Sequence, residues 1–243
     1  SEMCIRDRYN VSSSPHVRSK LTTGIVMYDV ILCLLPATVM GIWHFKLQAL
    51  LVIAASIVSA MLAEFVFDYI AHRENTLRDG SAIVTGLLLA LCLPAGVPIY
   101  IPCLGAAFAI IVAKNLFGGL GHNFMNPALA GRCFLLISFT GSMTTFTYDG
   151  VTGATPLAAL KAGESVDTMA MLLGKTAGTI GETSVIALLI GAIILILFGI
   201  IDLRIPGTYI VTFAIFVLLF GGHGFDMNLS LIHISEPTRL QLI

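Results

Sequence analysis

The segment Asp149-Gly150-Val151-Thr152-Gly153-Ala154-Thr155 ends in a hydroxyl that another enzyme could esterify. A threonine hydroxyl forms phosphoesters, but its high intrinsic pKa makes it a poor nucleophile unless it is activated. Gly153 and Ala154 leave little bulk before it, so a phosphate could be brought close, and glycine permits the backbone conformations that a tight approach requires. Pro156 disfavours helix at Thr155 and keeps it extended. Asp149 could assist recognition or hold a metal in the modifying enzyme. The competing reading is a polar turn, because Gly, Thr and Asp are common there.

Other chemistry-bearing groups are sparser. Asp29, Glu64 and Asp68 fall inside apolar runs, where ionisable residues are functional candidates. Glu64 and Asp68 are four apart and share a helix face, which suits a cation path. The alternative puts Asp68 near Arg73 at the interface and bonds Glu64 to a neighbouring helix. Gly118-Gly119-Leu120-Gly121, followed by Asn123, Asn126 and Pro127, suits either a broken intramembrane segment or a close-packed turn. In the first case the amides of Asn123 and Asn126 could bond a flavin ring or an ion. Asn126-Pro127-Ala128, with Arg132 nearby, also resembles a water-channel signature, but only one copy is present. The histidines lack ligand spacing. The five cysteines form no CxxC pair and read as small buried hydrophobes, with no metal site expected.

These groups must be carried by membrane helices. Hydrophobic residues make up 57% of the chain and charged residues 11%, against about 25% charged in a soluble domain. Mean hydropathy is +0.94. A net charge of −1 excludes a globally basic nucleic-acid binder. A span needs about 20 apolar residues, and the apolar runs predict spans near 24–43, 47–70, 81–94, 98–113, 127–142, 184–201 and 206–222. Several are short and contain Gly or Pro, which is tolerated where the backbone faces protein or a cavity. With the N-terminus in the cytoplasm, Arg18, Lys20, Arg73, Arg78, Lys114 and Arg204 fall inside, and Lys46, Lys161 and Lys175 outside. The excess of basic residues inside favours that orientation. Loop 143–183, with the Asp149–Thr155 motif, is then extracytoplasmic.

Asp-x-x-(Ser/Thr)-Gly-Ala-Thr resembles the acceptor on which a flavin transferase esterifies FMN to the last threonine. Four further stretches carry a family resemblance: Ser14-Pro15-His16-Val17-Arg18-Ser19-Lys20; Leu77-Arg78-Asp79-Gly80-Ser81-Ala82-Ile83-Val84-Thr85-Gly86; the run from Asn115 to Ala128; and Gly181-Glu182-Thr183-Ser184. In this order, over about residues 10–225, the chain resembles the D subunits of Rnf ion-translocating ferredoxin:NAD oxidoreductases. A close relative is the B subunit of the sodium-pumping NADH:quinone reductase. Thr152 stands where many members have serine, and the hydroxyl is kept.

The resemblance implies an all-α integral membrane protein, a polytopic helical bundle with urea-transporter-like repeats of five spans and about seven spans present here. It implies covalent FMN on Thr155, with Asp149, Thr152, Gly153 and Ala154 as the attachment motif. It also implies a riboflavin or other non-covalent second flavin in some members, and coupling of electron flow to Na⁺ or H⁺ movement in a bacterial cytoplasmic membrane. Implied partners are the other Rnf membrane and Fe–S subunits, a flavin transferase and lipid, with no nucleic acid. The chain has no G-x-G-x-x-G fingerprint and no Fe–S cysteine spacing, so it is expected to be non-catalytic alone. A channel or solute transporter of urea-transporter type is the alternative from another class.

The expected division is a non-native segment at 1–8, a first five-span repeat at 9–142, the flavin loop at 143–183, the first spans of a second repeat at 184–228, and a non-native segment at 229–243. The two end segments resemble translated sequencing-adapter DNA, and the natural protein is expected to continue beyond Met227.

Overall fold

A computed structural model describes residues 22–72, 76–123, 125–148, 151–153, 169, 174, 177–182 and 184–220. The first element, α1 (Thr23–Ile70), is two helices joined at Lys46, where φ is 53° and ψ −131°. As one straight rod its 48 residues would reach about 72 Å, more than twice a bilayer core of about 30 Å. The break at the exposed Lys46 turns it into two limbs of spanning length, matching the two expected spans.

Contacts with later elements define the direction of each limb. Next come α2 (Ser81–Leu91), α3 (Tyr100–Phe108) with a π-helical continuation (Ala109–Asn115), and α4 (Pro127–Ser138). Gly80 lies against the Tyr28 ring, and Ser81 bonds the same lysine as Glu64. Tyr28 and Glu64 therefore share one end of the bundle. Gly41 lies against Ile180, whose N–H donates to the Leu93 carbonyl at 3.0 Å, so Gly41 belongs to the other end. The two limbs are antiparallel. Ser59 donates to the Cys103 carbonyl, which sets α3 beside the second limb. Phe108 stacks on Phe134, and Tyr100 meets Phe139 edge-on, so α4 runs antiparallel to α3. Five passes result, alternating in direction.

The helix α2 sits at the centre and is buried nearly all round, as expected of a helix without a polar face. Side chains turned outward are also apolar: Leu32, Val39, Val58, Leu62 and Phe65 are exposed. Exposed aromatics mark both ends, Tyr28 and Tyr69 at one and Trp43 and Tyr100 at the other, the arrangement of interfacial belts. A water-facing surface would not gather so much apolar area.

Beyond α4 follow α5 (Thr140–Thr144), a hairpin of β1 (Thr147–Tyr148) and β2 (Val151–Thr152), α6 (Val185–Leu197) and α7 (Arg204–Phe220). The hairpin is a small departure from an all-α chain. The α6 helix returns along the first limb of α1, where Gly191 meets Cys33.

Close helix contacts rest on small residues, the usual device where lipid provides no hydrophobic drive. A Cβ on Gly86 would lie 2.9 Å from the Ile57 Cα, and one on Gly191 would lie 2.5 Å from the Cys33 carbonyl oxygen. The obstacle in each case is backbone, which cannot step aside. Gly191→Val is therefore expected to cost about 1–3 kcal/mol. Gly207→Val, whose Cβ meets nothing within 4 Å, should be near neutral. Thermal melting of both variants in detergent checks this.

Candidate functional site

The broken middle of the bundle positions the site. Eleven residues of α2 rise about 16 Å, roughly half of a bilayer core. The chain then continues without regular structure through Pro94-Ala95-Gly96-Val97-Pro98, yet Leu93, Ala95 and Val97 are buried. Irregular backbone at such depth needs protein partners. Segment 177–182 supplies them: Ile180 donates to Leu93, and Thr179 pairs antiparallel with Pro94.

Residues 151–153, the described part of the Asp149–Thr155 segment, sit beside this junction. Gly153 N–H donates to the Phe146 carbonyl at 3.1 Å, and Phe146 is buried. Gly153 itself is exposed, and a Cβ on it would face Ala177 at 3.7 Å, two residues before Thr179. Thr152 belongs to β2, paired with Thr147. Asp149, Ala154 and Thr155 lie outside the described residues.

Beneath this cover lies Arg132 on α4. It is 7% exposed, and its Nε and Nη1 meet no hydrogen-bond acceptor. Its guanidinium lies near the Cys92 thiol at the C-terminal end of α2, with Glu182 in the same neighbourhood. A helix C-terminus attracts a cation, which accounts for the guanidinium's placement. It does not satisfy the remaining donors, each of which costs about 1–3 kcal/mol when buried and unmet. Thr179 Oγ1, in the same junction, is likewise buried without a partner.

A second charged cluster occupies the opposite end. Lys114 Nζ donates to Glu64 Oε1 at 2.6 Å and to Ser81 Oγ at 2.7 Å. Thr76 Oγ1 lies 2.5 Å from Glu64 Oε1 and 3.0 Å from Asp68 Oδ2, and Thr76 N–H donates to Asp68. Lys114 is 2% exposed and Glu64 fully buried. The sequence reading treats Lys114 as a loop charge; the structure buries it as a fixed counter-ion. Its position in the π-helical stretch carries the ammonium onto Glu64. Glu64 is thus bonded to a neighbouring helix, the alternative considered for it, and a built-in cation stands on the suggested cation path. Asp29 is apart from this cluster and half-buried.

The two asparagines hold the turn between α3 and α4. Asn126 Oδ1 accepts from the Ala128 N–H at 3.0 Å, an N-cap with Pro127 in the first turn. Asn123, with its amide nitrogen turned toward the carbonyls, donates to Lys114 at 3.2 Å and Gly119 at 2.9 Å. Gly118, Gly119 and Gly121 all have positive φ, so this turn needs its glycines. Among the cysteines, Cys33 is buried but Cys133 is exposed, against the expectation of burial.

Fold and site define a helical membrane protein with a short, interrupted central helix. The chain belongs to the NQR2, RnfD, RnfE family, whose model matches residues 10–238. It is 48% identical over 220 residues to the D subunit of the Na⁺-translocating ferredoxin:NAD⁺ oxidoreductase complex of Acetobacterium woodii, covering 87% of this chain and 69% of that protein. It is 40% identical to the D subunit of the proton-translocating ferredoxin:NAD⁺ oxidoreductase complex of Clostridium ljungdahlii, over 88% and 70%. The D subunit of an ion-translocating oxidoreductase complex of Methanosarcina acetivorans is 33% identical, over 88% and 69%.

Removing one partner of a buried pair strands the other charge. Lys114→Met is expected to destabilise by about 3–5 kcal/mol. The double variant Lys114→Met with Glu64→Leu should recover most of that loss. Unfolding of the three proteins in detergent, compared as a double-mutant cycle, measures the coupling.

Proposed function

We propose that this chain is a membrane subunit of an Rnf-type ion-translocating oxidoreductase. It carries FMN as a phosphoester on Thr155 and helps couple electron transfer between ferredoxin and NAD to Na⁺ or H⁺ movement. Family membership and the names of the relatives support the complex. The observation that carries the flavin reading is the motif itself, with its Gly153 exposed beside Ala177 and unmet buried donors in the junction below. Those donors fit an anionic cofactor.

Bound FMN would supply one- and two-electron transfer. The protein's part is placement and electrostatics. Gly153 and Ala154 give the modifying enzyme access to Thr155, with Asp149 and Thr152 completing the motif. The cover formed by 177–182 over 92–98 holds the loop against the bundle. Partners in this reading are the other Rnf membrane and Fe–S subunits, a flavin transferase and lipid. The chain alone would be non-catalytic, and the redox partners would bring the nicotinamide and iron–sulfur sites.

The finer architecture in this reading is urea-transporter-like. Residues 9–142 form one five-span repeat and 184–228 begin a second. The N-terminus is cytoplasmic in a bacterial cell membrane, and loop 143–183 is extracytoplasmic. Arg78 and Arg204 at the end opposite the motif support that orientation. A second, non-covalent flavin could use the amide groups of Asn123 and Asn126 left over from the turn. The B subunit of the sodium-pumping quinone reductase is the nearest competing assignment, and the 48% identity to an Rnf-type D subunit favours Rnf. A channel or solute transporter of urea-transporter type is less favoured, because the relatives are named as subunits of oxidoreductase complexes.

Co-expression with an exported flavin transferase tests the reading. The native chain should give a fluorescent band in a denaturing gel, and Thr155→Ala a dark one. A dark native band from membrane-inserted protein, in a longer version of the chain as well, would overturn covalent attachment and leave the transporter reading ahead.

A further inference from the structure

We propose that the oxygens of Glu64, Asp68, Thr76 and Ser81 form a monovalent-cation site, and that the Lys114 ammonium is its tethered occupant, a plug that keeps free cations out. The inference stands on this cluster and does not rest on the flavin reading. Glu64 and Asp68 come from the second limb of α1, Thr76 from the short turn that follows it, and Ser81 from the start of α2. Lys114 enters from the continuation of α3. Its Nζ lies 2.6 Å from Glu64 Oε1 and 2.7 Å from Ser81 Oγ. Behind that contact, Thr76 Oγ1 bridges Glu64 Oε1 and Asp68 Oδ2. Glu64, Asp68, Ser81 and Lys114 are all buried.

Acceptors outnumber donors in the cluster. Each carboxylate offers two acceptor oxygens, and a threonine hydroxyl has one proton to give. Thr76 can therefore donate to only one of the two carboxylates that its oxygen touches. Glu64 Oε2 is buried and meets no donor, on a side chain with no exposed surface. Buried polar atoms without partners are rare and need an explanation. Two carboxylates also face one ammonium, so negative formal charge remains with the lysine in place. Carboxylate and hydroxyl oxygens are the ligands of hard cations. An ammonium is a compact point charge, and this one already sits where an alkali cation would meet Glu64 and Ser81. A tethered ligand binds as an intramolecular event, at an effective concentration in the millimolar range for short flexible links. Free ions of similar intrinsic affinity therefore displace it little. The ammonium is delivered by a π-helical stretch, a rare form that frequently marks functional sites.

The test removes the plug and offers free ions. Lys114→Ala, unlike a change to Met, leaves the ammonium's space open. The native chain, Lys114→Ala, and Lys114→Ala with Glu64→Gln are melted in detergent, in sodium chloride or choline chloride at equal concentration. Choline holds ionic strength constant and is too large for the site. Sodium in place of choline should raise the melting temperature of Lys114→Ala by about 3 °C or more, as expected of an ion that binds only the folded state. The native chain should move by less than about 1 °C, and so should the double variant. Where Lys114→Ala is not recovered in choline, the yield of monodisperse protein is read instead. It should be about fivefold or more higher in sodium.

Equal melting of Lys114→Ala in the two salts overturns the proposal, since a proton or water then takes the ammonium's place. Equal yields, including no folded protein in either salt, overturn it in the same way. A sodium gain of the same size in the native chain puts the ion elsewhere, as does a gain that survives Glu64→Gln. A larger gain from magnesium than from sodium at equal ionic strength would mark a divalent site and also overturns the monovalent assignment.

Discussion

A central helix of eleven residues in a bilayer-length bundle leaves backbone groups that lipid cannot satisfy. The pairing of Leu93 and Pro94 with Ile180 and Thr179 answers that constraint. Much of the rest depends on it. The pairing draws segment 177–182 down onto the bundle. Segment 177–182 in turn lies against Gly153. A chain that crossed the membrane at this point as a plain helix would have neither a buried junction nor a fixed loop.

The two buried cations are treated in opposite ways. Lys114 is matched by Glu64, Ser81 and, through Thr76, Asp68. Such a network holds four elements together, α1, the short turn before α2, α2 itself and the continuation of α3, at one end of the bundle. Arg132, at the other end, keeps donors in reserve. In a low-dielectric interior a matched charge is structural and an unmatched one is costly.

Much of the fold was legible from composition and apolar runs. The expected boundary between 24–43 and 47–70 coincides with the break at Lys46, because a charged residue between two apolar runs is where a membrane chain turns. Expected spans three to five correspond to α2, α3 and α4, although α2 stops three residues short of its expected end at residue 94. An apolar count alone passes over that stop because Cys92 and Leu93 are apolar; Pro94, which cannot continue a helix, marks it. The glycine-rich run before Pro127 was legible as a turn, the close-packed alternative considered for it.

What the sequence by itself determined is the class: a helical membrane chain of this family, with a Thr-Gly-Ala-Thr motif in a polar segment. Hydropathy and local motifs act over a few residues, so they can be read in order along the chain. Only the tertiary structure decided which charges meet. Lys114 lies 50 residues from Glu64, and Arg132 lies 40 residues from Cys92, its partner by packing. Neither pairing follows from spacing, because it depends on how antiparallel helices rotate against one another. Whether a buried cation is satisfied is a property of that rotation, and it separates the structural lysine from the arginine left open to a ligand.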